Sequence, residues 1–361
     1  MSAAIVLTTR GNYAKFKKLI PLLDFGVELV VGGELLLKDR ATDLFIINGN
    51  NINRQVARLY FDVRGDTTEA MAKSIGVAVS EFSTVFNHIK PSVVFLVGDR
   101  YETMGAATAA YTNRIPIAHL EGGEVSGSLD DGFRRAITEL STYHFPATEK
   151  AGHNIQKDHV YAVGSTSIDI IADTTKTPGE LNHLQMTTGS GAFVDTTLPY
   201  LLVVYHPDTN YAEDLNIDYM ISAIDEIGMP TIVLNSNLDS GSDLVSSKFR
   251  VYNNTFKPDN IHFFKSLPIE YYGALLKNAA CIVGDSSSGI REACFTGTPN
   301  VSVGDRQINR EHGENTVYAK NGEILDAIIK QVNHGRYPQN NLYGDGTACK
   351  KIAEVMNCIL A

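Results

Sequence analysis

The stretch Val93–His119, "VVFLVGDRYETMGAATAAYTNRIPIAH", runs from five consecutive apolar residues through Gly98-Asp99-Arg100 into an alanine-rich segment and ends in a second apolar run. Val93–Val97 and Pro116–His119 read as strands, with Tyr101–Asn113 as the helix between them. Strands this uniformly apolar have both faces covered, and strands joined through helices pair in parallel. The pattern extends to both sides. Ala3–Thr8, Tyr143–Ala147 and Val160–Val163 read as further strands, and Thr67–Ile89 as a helix. Asp173–Pro199, rich in Thr, Gly and Pro, reads as a surface connection. Beyond it the alternation restarts. Strands are expected at Tyr200–Tyr205, Thr231–Leu234, Ile261–Phe264, Cys281–Val283 and Asn300–Val303. Helices are expected at Glu213–Ile227, Pro268–Lys277, Gly289–Phe295 and Gly322–Val332. The final residues carry a helical apolar stripe at Ile352, Val355, Met356 and Ile359. The fold class is therefore α/β, two successive open parallel sheets, and no sequence repeat relates the halves.

With 361 residues, 43% hydrophobic and 20% charged, the chain has material for two globular cores. It carries 31 Lys and Arg against 41 Asp and Glu, a formal net charge of −10, which speaks against the basic face of a nucleic-acid binder. An anionic ligand must therefore find its arginines locally. No apolar run approaches the ~20 residues that cross a membrane. "MSAAIVLTTR" lacks the basic segment and apolar core of a secretion signal. The four cysteines, Cys281, Cys294, Cys349 and Cys358, share no metal-ligand spacing and read as thiols in a reducing compartment, so the expected location is cytoplasmic.

In open parallel sheets ligands bind beyond the carboxyl ends of the strands, and with two such domains the cleft between them is the natural place. Six expected strands are followed by polar, ionisable or glycine residues: Thr9–Asn12, Gly98–Arg100, the acidic stretch up to Asp131, His206-Pro207, Gly284–Gly289 and Gly304–Arg306. The Ser286-Ser287-Ser288 turn offers N–H groups and hydroxyls to a phosphate, or is a plain helix cap. Glu292 suits ribose hydroxyls, or is a solvated helix residue. Arg10, Arg100 and Arg306 can supply bidentate charge to a diphosphate, and Arg10 follows no GxGxxG turn, so a dinucleotide is not indicated. Asp99 reads equally well as a helix cap and His206 as a core histidine. Asp130 and Asp131 open a helix whose Phe133, Ile137 and Leu140 face the core, with Arg134 or Arg135 as helix partner of Asp131. Four carboxylates and three glycines crowd Glu121–Asp131, which is either a solvated turn or an acid/base loop. His119, Glu121, Glu124 and Asp131 lack metal-binding spacing, so no metal is expected.

"GDRYE", "HLEGGEVSGSLDDGFRRAIT", "YHPDT", "GDSSSGIREACFTGTPNVSVGDRQINREHGENT" and "YGDG" resemble, in the same order and over essentially the whole chain, the hydrolysing UDP-N-acetylglucosamine 2-epimerases of sialic acid synthesis. The resemblance implies a glycosyltransferase B-type fold: two Rossmann-like domains facing a cleft, residues 1–175 plus 346–361 and residues 176–345, with the C-terminal helix returning to the first. It implies elimination of UDP across C1–C2 to a 2-acetamidoglucal, then hydration with inverted C2, without cofactor or metal. By resemblance Asp99, Glu121 and Asp131 are the acid/base groups, Arg134 supports Asp131, and His206 is the active-site histidine. Arg10, Arg100, Asn237, Ser286, Ser287, Glu292 and Arg306 match nucleotide-contacting positions. The implied partner is a UDP-sugar and the implied assembly a homodimer or homotetramer.

Ala14, Asp243 and Ser266 depart from the family pattern where relatives carry a serine, a lysine and a basic or histidine residue. These positions touch nucleotide contacts and bear on the exact nucleotide sugar. Two enzymatic alternatives stay open: the same reaction on UDP-2,4-diacetamido-2,4,6-trideoxyglucose, and a retaining glycosyltransferase, which gives the acidic loop no purpose. A catalytically silent nucleotide-sugar sensor is the contrasting class, against which the joint presence of Asp99, Glu121, Asp131 and His206 argues.

Overall fold

The computed structural model describes residues 1–36, 56–63, 65, 67–206, 216–235 and 242–361, which form two compact units. The first comprises Met1–Val125, Leu129–Asp169 and Gly344–Ala361. Its sheet has six parallel strands: β1 Ser2–Leu7, β2 Gly26–Gly32, β3 Val56–Leu59, β4 Val93–Val97, β5 Ile117–Leu120 and β6 Tyr143–Phe145. They are ordered β3-β2-β1-β4-β5-β6, with Ile5 paired to Leu29 on one side and to Phe95 on the other. Side chains alternate between faces along a strand, and here both faces are buried. Ile5, Leu29 and Phe95 pack with Phe16 and with Ile352 and Met356 of the last helix. Val6, Val94 and Leu96 pack with Phe82, Phe86 and Ala106 from the helices Thr68–Ile89 and Tyr101–Thr112. This is why the strands are apolar without interruption. The winding reverses between β1 and β4, so the carboxyl ends of β1, β4 and β5 lie side by side at the switch point where such sheets bind ligands.

The last helix, Ala348–Ile359, belongs to the first unit. Its stripe is buried at Ile352 and Met356 and half-buried at Val355 and Ile359. Asp169 anchors its start: the carboxylate, 2% exposed, accepts from the N–H of Ala348 at 3.0 Å and of Cys349 at 2.7 Å. Two free helical N–H groups and the positive end of the macrodipole meet a buried charge there. Asp169→Ala is expected to cost about 2–3 kcal/mol in urea denaturation, and Asp169→Asn, which keeps one acceptor, less. Unchanged stability in the alanine variant would contradict this anchoring.

The second unit comprises Ser126–Ser128 and Ile170–Tyr343. Its strands are β7 Ser190–Gly191, β8 Leu201–Val204, β9 Thr231–Leu234, β10 Ile261–Phe264, β11 Cys281–Gly284, β12 Asn300–Val303 and β13 Thr316–Ala319, ordered β13-β12-β11-β8-β9-β10-β7. All pair in parallel except β7, which is antiparallel to β10. Gly284 ends β11 at φ +141, and a Cβ there would sit 2.0 Å from the Val204 carbonyl oxygen, so only glycine lets β11 turn away from β8.

The structure departs from the sequence expectations in several places. Val160–Val163 forms no strand, only a single bridge from Val160 to His144. Asp173–Pro199 is not a plain connection: it holds the helix Pro178–Thr187, opened by a Thr177/Glu180 capping box, and the edge strand β7. Strands β2, β3 and β13 and the helix Ser242–Phe256 were not expected. The unit boundary falls at Asp169/Ile170, inside the helix Thr166–Ala172, rather than after 175. The return falls at Tyr343/Gly344, and Ser126–Ser128 of the acidic stretch group with the second unit. Among the described residues no helix is long and apolar enough to cross a membrane.

Candidate active site

The acidic stretch is folded tightly rather than solvated. Glu121, Glu124 and Asp131 are 2%, 6% and 9% exposed. The glycines serve close approach: Gly123 stands at φ +79, and a Cβ on it would lie 2.1 Å from the Ala151 carbonyl oxygen. Asp130 and Asp131 open the helix Asp130–Leu140. Its buried stripe is Asp131, Arg134, Ile137 and Thr138, with Phe133 and Leu140 only packed along the edge. Arg135 is exposed, so Arg134 is the helix partner of Asp131.

Arg134 is the hub. Its guanidinium is 1% exposed. One terminal nitrogen donates to Asp131 Oδ1 and, at 2.9 Å, to the Glu124 carbonyl oxygen, while the other donates to Asp99 Oδ2. Asp99 follows β4 and the helix after it is capped by Arg100 without a side-chain bond, so the helix-cap reading of Asp99 is set aside. Burial alone would push the guanidinium's pKa down, and the charges of Asp99, Glu124 and Asp131 outweigh it, so Arg134 titrates above its ordinary value. Two carboxylates from different elements are thereby brought together around one permanent cation.

Glu121, directly after β5, stands apart from that hub. Its backbone is in the left-handed region at φ +62, and its N–H donates to the Phe145 carbonyl at 2.9 Å. Oε1 accepts from Ser165 Oγ at 2.8 Å, and Oε2 accepts from Lys15 Nζ. Neither partner was among the sequence candidates. Ser165 follows Val163-Gly164, a run read as a strand, so asking what comes after that run as well would have found it. Lys15 carries no local signal. His119, on β5, is fully buried; its Nε2 lies 2.8 Å from the Gly98 carbonyl, which fixes Nε2–H as donor, and Nδ1 accepts from Thr138 Oγ1 at 3.3 Å. It steadies the turn that carries Asp99. Burial, against the opposing pull of the Gly98 carbonyl, pushes its pKa down to about 4. Arg100 forms a bidentate pair with buried Glu102, both bonds 3.0 Å. Arg10 opens the helix Arg10–Phe16 after β1.

In the second unit the strand ends of β8, β11 and β12 carry the other candidates. Asp285, buried after Gly284, accepts from the backbone N–H of half-buried His206 at 2.7 Å. Its other carboxylate oxygen lies 3.8 Å from the Arg306 guanidinium. Asp285 was not singled out in the sequence, yet it joins the ends of β8 and β12. Ser286 caps its helix, accepting from the Ser288 N–H at 3.3 Å. Ser288 in turn bonds the Tyr272 hydroxyl, a partner that sequence spacing did not suggest. The expected helix Gly289–Phe295 is instead two short helices, Ser287–Ile290 and Glu292–Thr296, broken at Arg291. Any anion at the serine turn therefore relies on hydroxyls, N–H groups and nearby arginines, since the macrodipole of a four-residue helix is slight. The break also separates Glu292 from the Ser288 helix, and Glu292 is 6% exposed rather than solvated. Asn237 lies outside the described residues. Among the described residues no three His, Cys, Asp or Glu side chains are grouped to hold a metal ion.

A family model described as UDP-N-acetylglucosamine 2-epimerase matches residues 28–357. The chain is 30% identical over 376 residues to the UDP-N-acetylglucosamine 2-epimerase of Neisseria meningitidis serogroup B, covering 98% of this chain and 94% of that one. It is 29% identical over 371 residues to the UDP-N,N'-diacetylbacillosamine 2-epimerase (hydrolyzing) of Legionella pneumophila, covering 98% and 95%. The structure of the Methanocaldococcus jannaschii UDP-GlcNAc 2-epimerase in complex with UDP-GlcNAc and UDP superposes with a TM-score of 0.79 at 17% identity, covering 99% of this chain and 100% of that one. That likeness establishes the shared fold.

Proposed function

Since the chain belongs to the UDP-N-acetylglucosamine 2-epimerase family, we propose that it is a hydrolysing member, converting UDP-N-acetylglucosamine and water into free N-acetylmannosamine and UDP. The observation that carries this reading is the set of buried carboxylates at the ends of β4 and β5 and at the start of the next helix, two of them sharing Arg134. The Legionella relative named as hydrolyzing supports it.

The chemistry accounts for the residue types. The C2 hydrogen is scarcely acidic until the C1–O bond to the diphosphate stretches and C1 gains oxocarbenium character. A base at C2 and positive charge on the departing diphosphate must therefore act together. We assign Asp99, Glu121 and Asp131 to proton transfer and Arg134 to keeping Asp99 and Asp131 ionised and oriented. The elimination breaks C1–O and C2–H and leaves the C1=C2 double bond of 2-acetamidoglucal, with UDP as the leaving group. Hydration then adds the water oxygen to C1 and a proton to C2 from the opposite face. Ser286, Ser287, Glu292 and Arg306 are assigned to the nucleotide diphosphate together with Arg10, Arg100 and Asn237, and His206 to the diphosphate and sugar. By the same resemblance we expect a cytoplasmic homodimer or homotetramer.

A second substrate, UDP-2,4-diacetamido-2,4,6-trideoxyglucose, is favoured by the Legionella relative, whose identity is within one percentage point of the Neisseria one. Incubation with UDP-N-acetylglucosamine in deuterium oxide, followed by proton NMR, tests the proposal. Free N-acetylmannosamine deuterated at C2, together with UDP, is the expected result. Nucleotide-bound N-acetylmannosamine would mean epimerisation without hydrolysis. Turnover of the diacetamido sugar alone would select the second substrate, and no turnover of either would leave a silent sensor.

A further inference from the structure

We propose that Lys15, Ser165 and Ser167 are positioning residues for Glu121, a support that holds its carboxylate in a single orientation for proton transfer. The inference deepens the proposed function and rests on the acid/base role given there to Glu121. It starts from how completely this side chain is gripped. Each carboxylate oxygen has its own donor, Ser165 Oγ on Oε1 and Lys15 Nζ on Oε2, and Ser165 Oγ lies 2.8 Å from Ser167 Oγ. The donors come from two separate elements, the helix Arg10–Phe16 and the segment entering the helix Thr166–Ala172. The backbone is pinned as well, through the N–H of Glu121 and the Phe145 carbonyl, with φ at +62. A left-handed conformation costs a non-glycine residue roughly 1–2 kcal/mol and persists where the surroundings over-determine it.

The support is polar where packing alone would be apolar. Ser165, Thr166 and Ser167 are 0%, 1% and 3% exposed. Burying hydroxyls is unfavourable unless they are bonded, and small apolar residues would fill the same space. A carboxylate 2% exposed would otherwise be driven towards its neutral acid, and donors aimed at both oxygens oppose that. The only charge facing Glu121 among the printed contacts is Lys15. This differs in kind from the Arg134 hub. A guanidinium does not surrender its proton, whereas an ammonium can shift its pKa and a serine hydroxyl can rotate. Glu121 is thus tied to donors whose protons can rearrange as it takes up and releases one, while Asp99 and Asp131 are fixed as anions.

The test uses the full chain and reads Glu121 directly. Difference infrared spectra against Glu121→Gln isolate its protonated-carboxyl C=O band and hence its titration, with or without turnover. In Ser165→Ala the midpoint is expected to rise by about one pH unit, and in Lys15→Met by more, because each loses a donor to the charged form. With UDP-N-acetylglucosamine, Ser165→Ala is expected to lower kcat about tenfold with KM changed less than about twofold, the acid limb of the pH profile moving with the infrared midpoint. Ser165→Thr, which keeps the hydroxyl, should restore both. An unmoved midpoint in Ser165→Ala overturns the support, as does a rise in KM at constant kcat, which would make Ser165 a binding contact. A wild type that turns over neither UDP-sugar would sink the proposed function, and the infrared shift would still decide the support.

Discussion

Arg134→Met is expected to lower kcat by at least about 10³-fold and to remove about 3–5 kcal/mol of stability. The side chain is buried and serves Asp131, Asp99 and the Glu124 carbonyl at once. Methionine fills much of the volume but leaves two carboxylates facing each other without a cation. One of them is then driven to protonate, since like charges at short range cannot both stay ionised. A stability loss alone would describe any buried arginine, so two further variants separate the effects. Asp131→Asn and Asp99→Asn keep shape and retain an oxygen for Arg134. Each is expected to melt within a few degrees of wild type while kcat falls about 10³-fold, or about 4 kcal/mol of transition-state stabilisation. Near wild-type kcat in both Asn variants would remove the hub from the chemistry and leave it a structural ion cluster.

Acid is expected to destabilise the protein through two buried histidines. His119 and His144 are 0% and 1% exposed. Burial pushes both down to about 4, helped for His144 by the nearby Lys157 charge, while the unfolded chain titrates near 6.5. Above about pH 6.5 neither state binds a proton at these sites and stability is flat. As the pH falls from 6.5 towards 4, the unfolded chain takes up protons that the native rings refuse, so stability is lost across that window, by at most about 3 kcal/mol for each histidine. Urea midpoints measured between pH 7.5 and 4.5 report the loss. The double variant His119→Gln/His144→Gln should be less stable at neutral pH but show a much flatter dependence. An equally steep fall in that variant would place the acid sensitivity in other groups.

How much of this was legible in the sequence follows from the range of the forces involved. Uninterrupted apolar runs at Val93–Val97, Thr231–Leu234 and Asn300–Val303 became strands because burial on both faces of a parallel sheet is written into consecutive residues. β2 and β3 were missed, as was β13: β2 carries glycines and a glutamate, and no apolar run marks β3 or β13. The helix Pro178–Thr187 was passed over because the Thr and Gly content around it outweighed a readable capping box at Thr177 and Glu180. The general location of the site, beyond the carboxyl ends of the strands, was also available, because topology restricts it once the strand and helix order is known.

What only the tertiary structure decided are the pairings. Asp99 and Asp131 meet on Arg134 although 32 positions separate the two aspartates, and Glu121 meets Lys15 and Ser165 across 106 and 44 positions. Nothing local records such contacts, since a carboxylate beside a strand has the same sequence whether it faces water or a buried guanidinium. The sequence by itself determined which elements form and which residue types cluster at their ends. Whether those residues are solvated caps or a buried acid/base group was decided by packing, because desolvation and the sharing of one cation depend on distance in space.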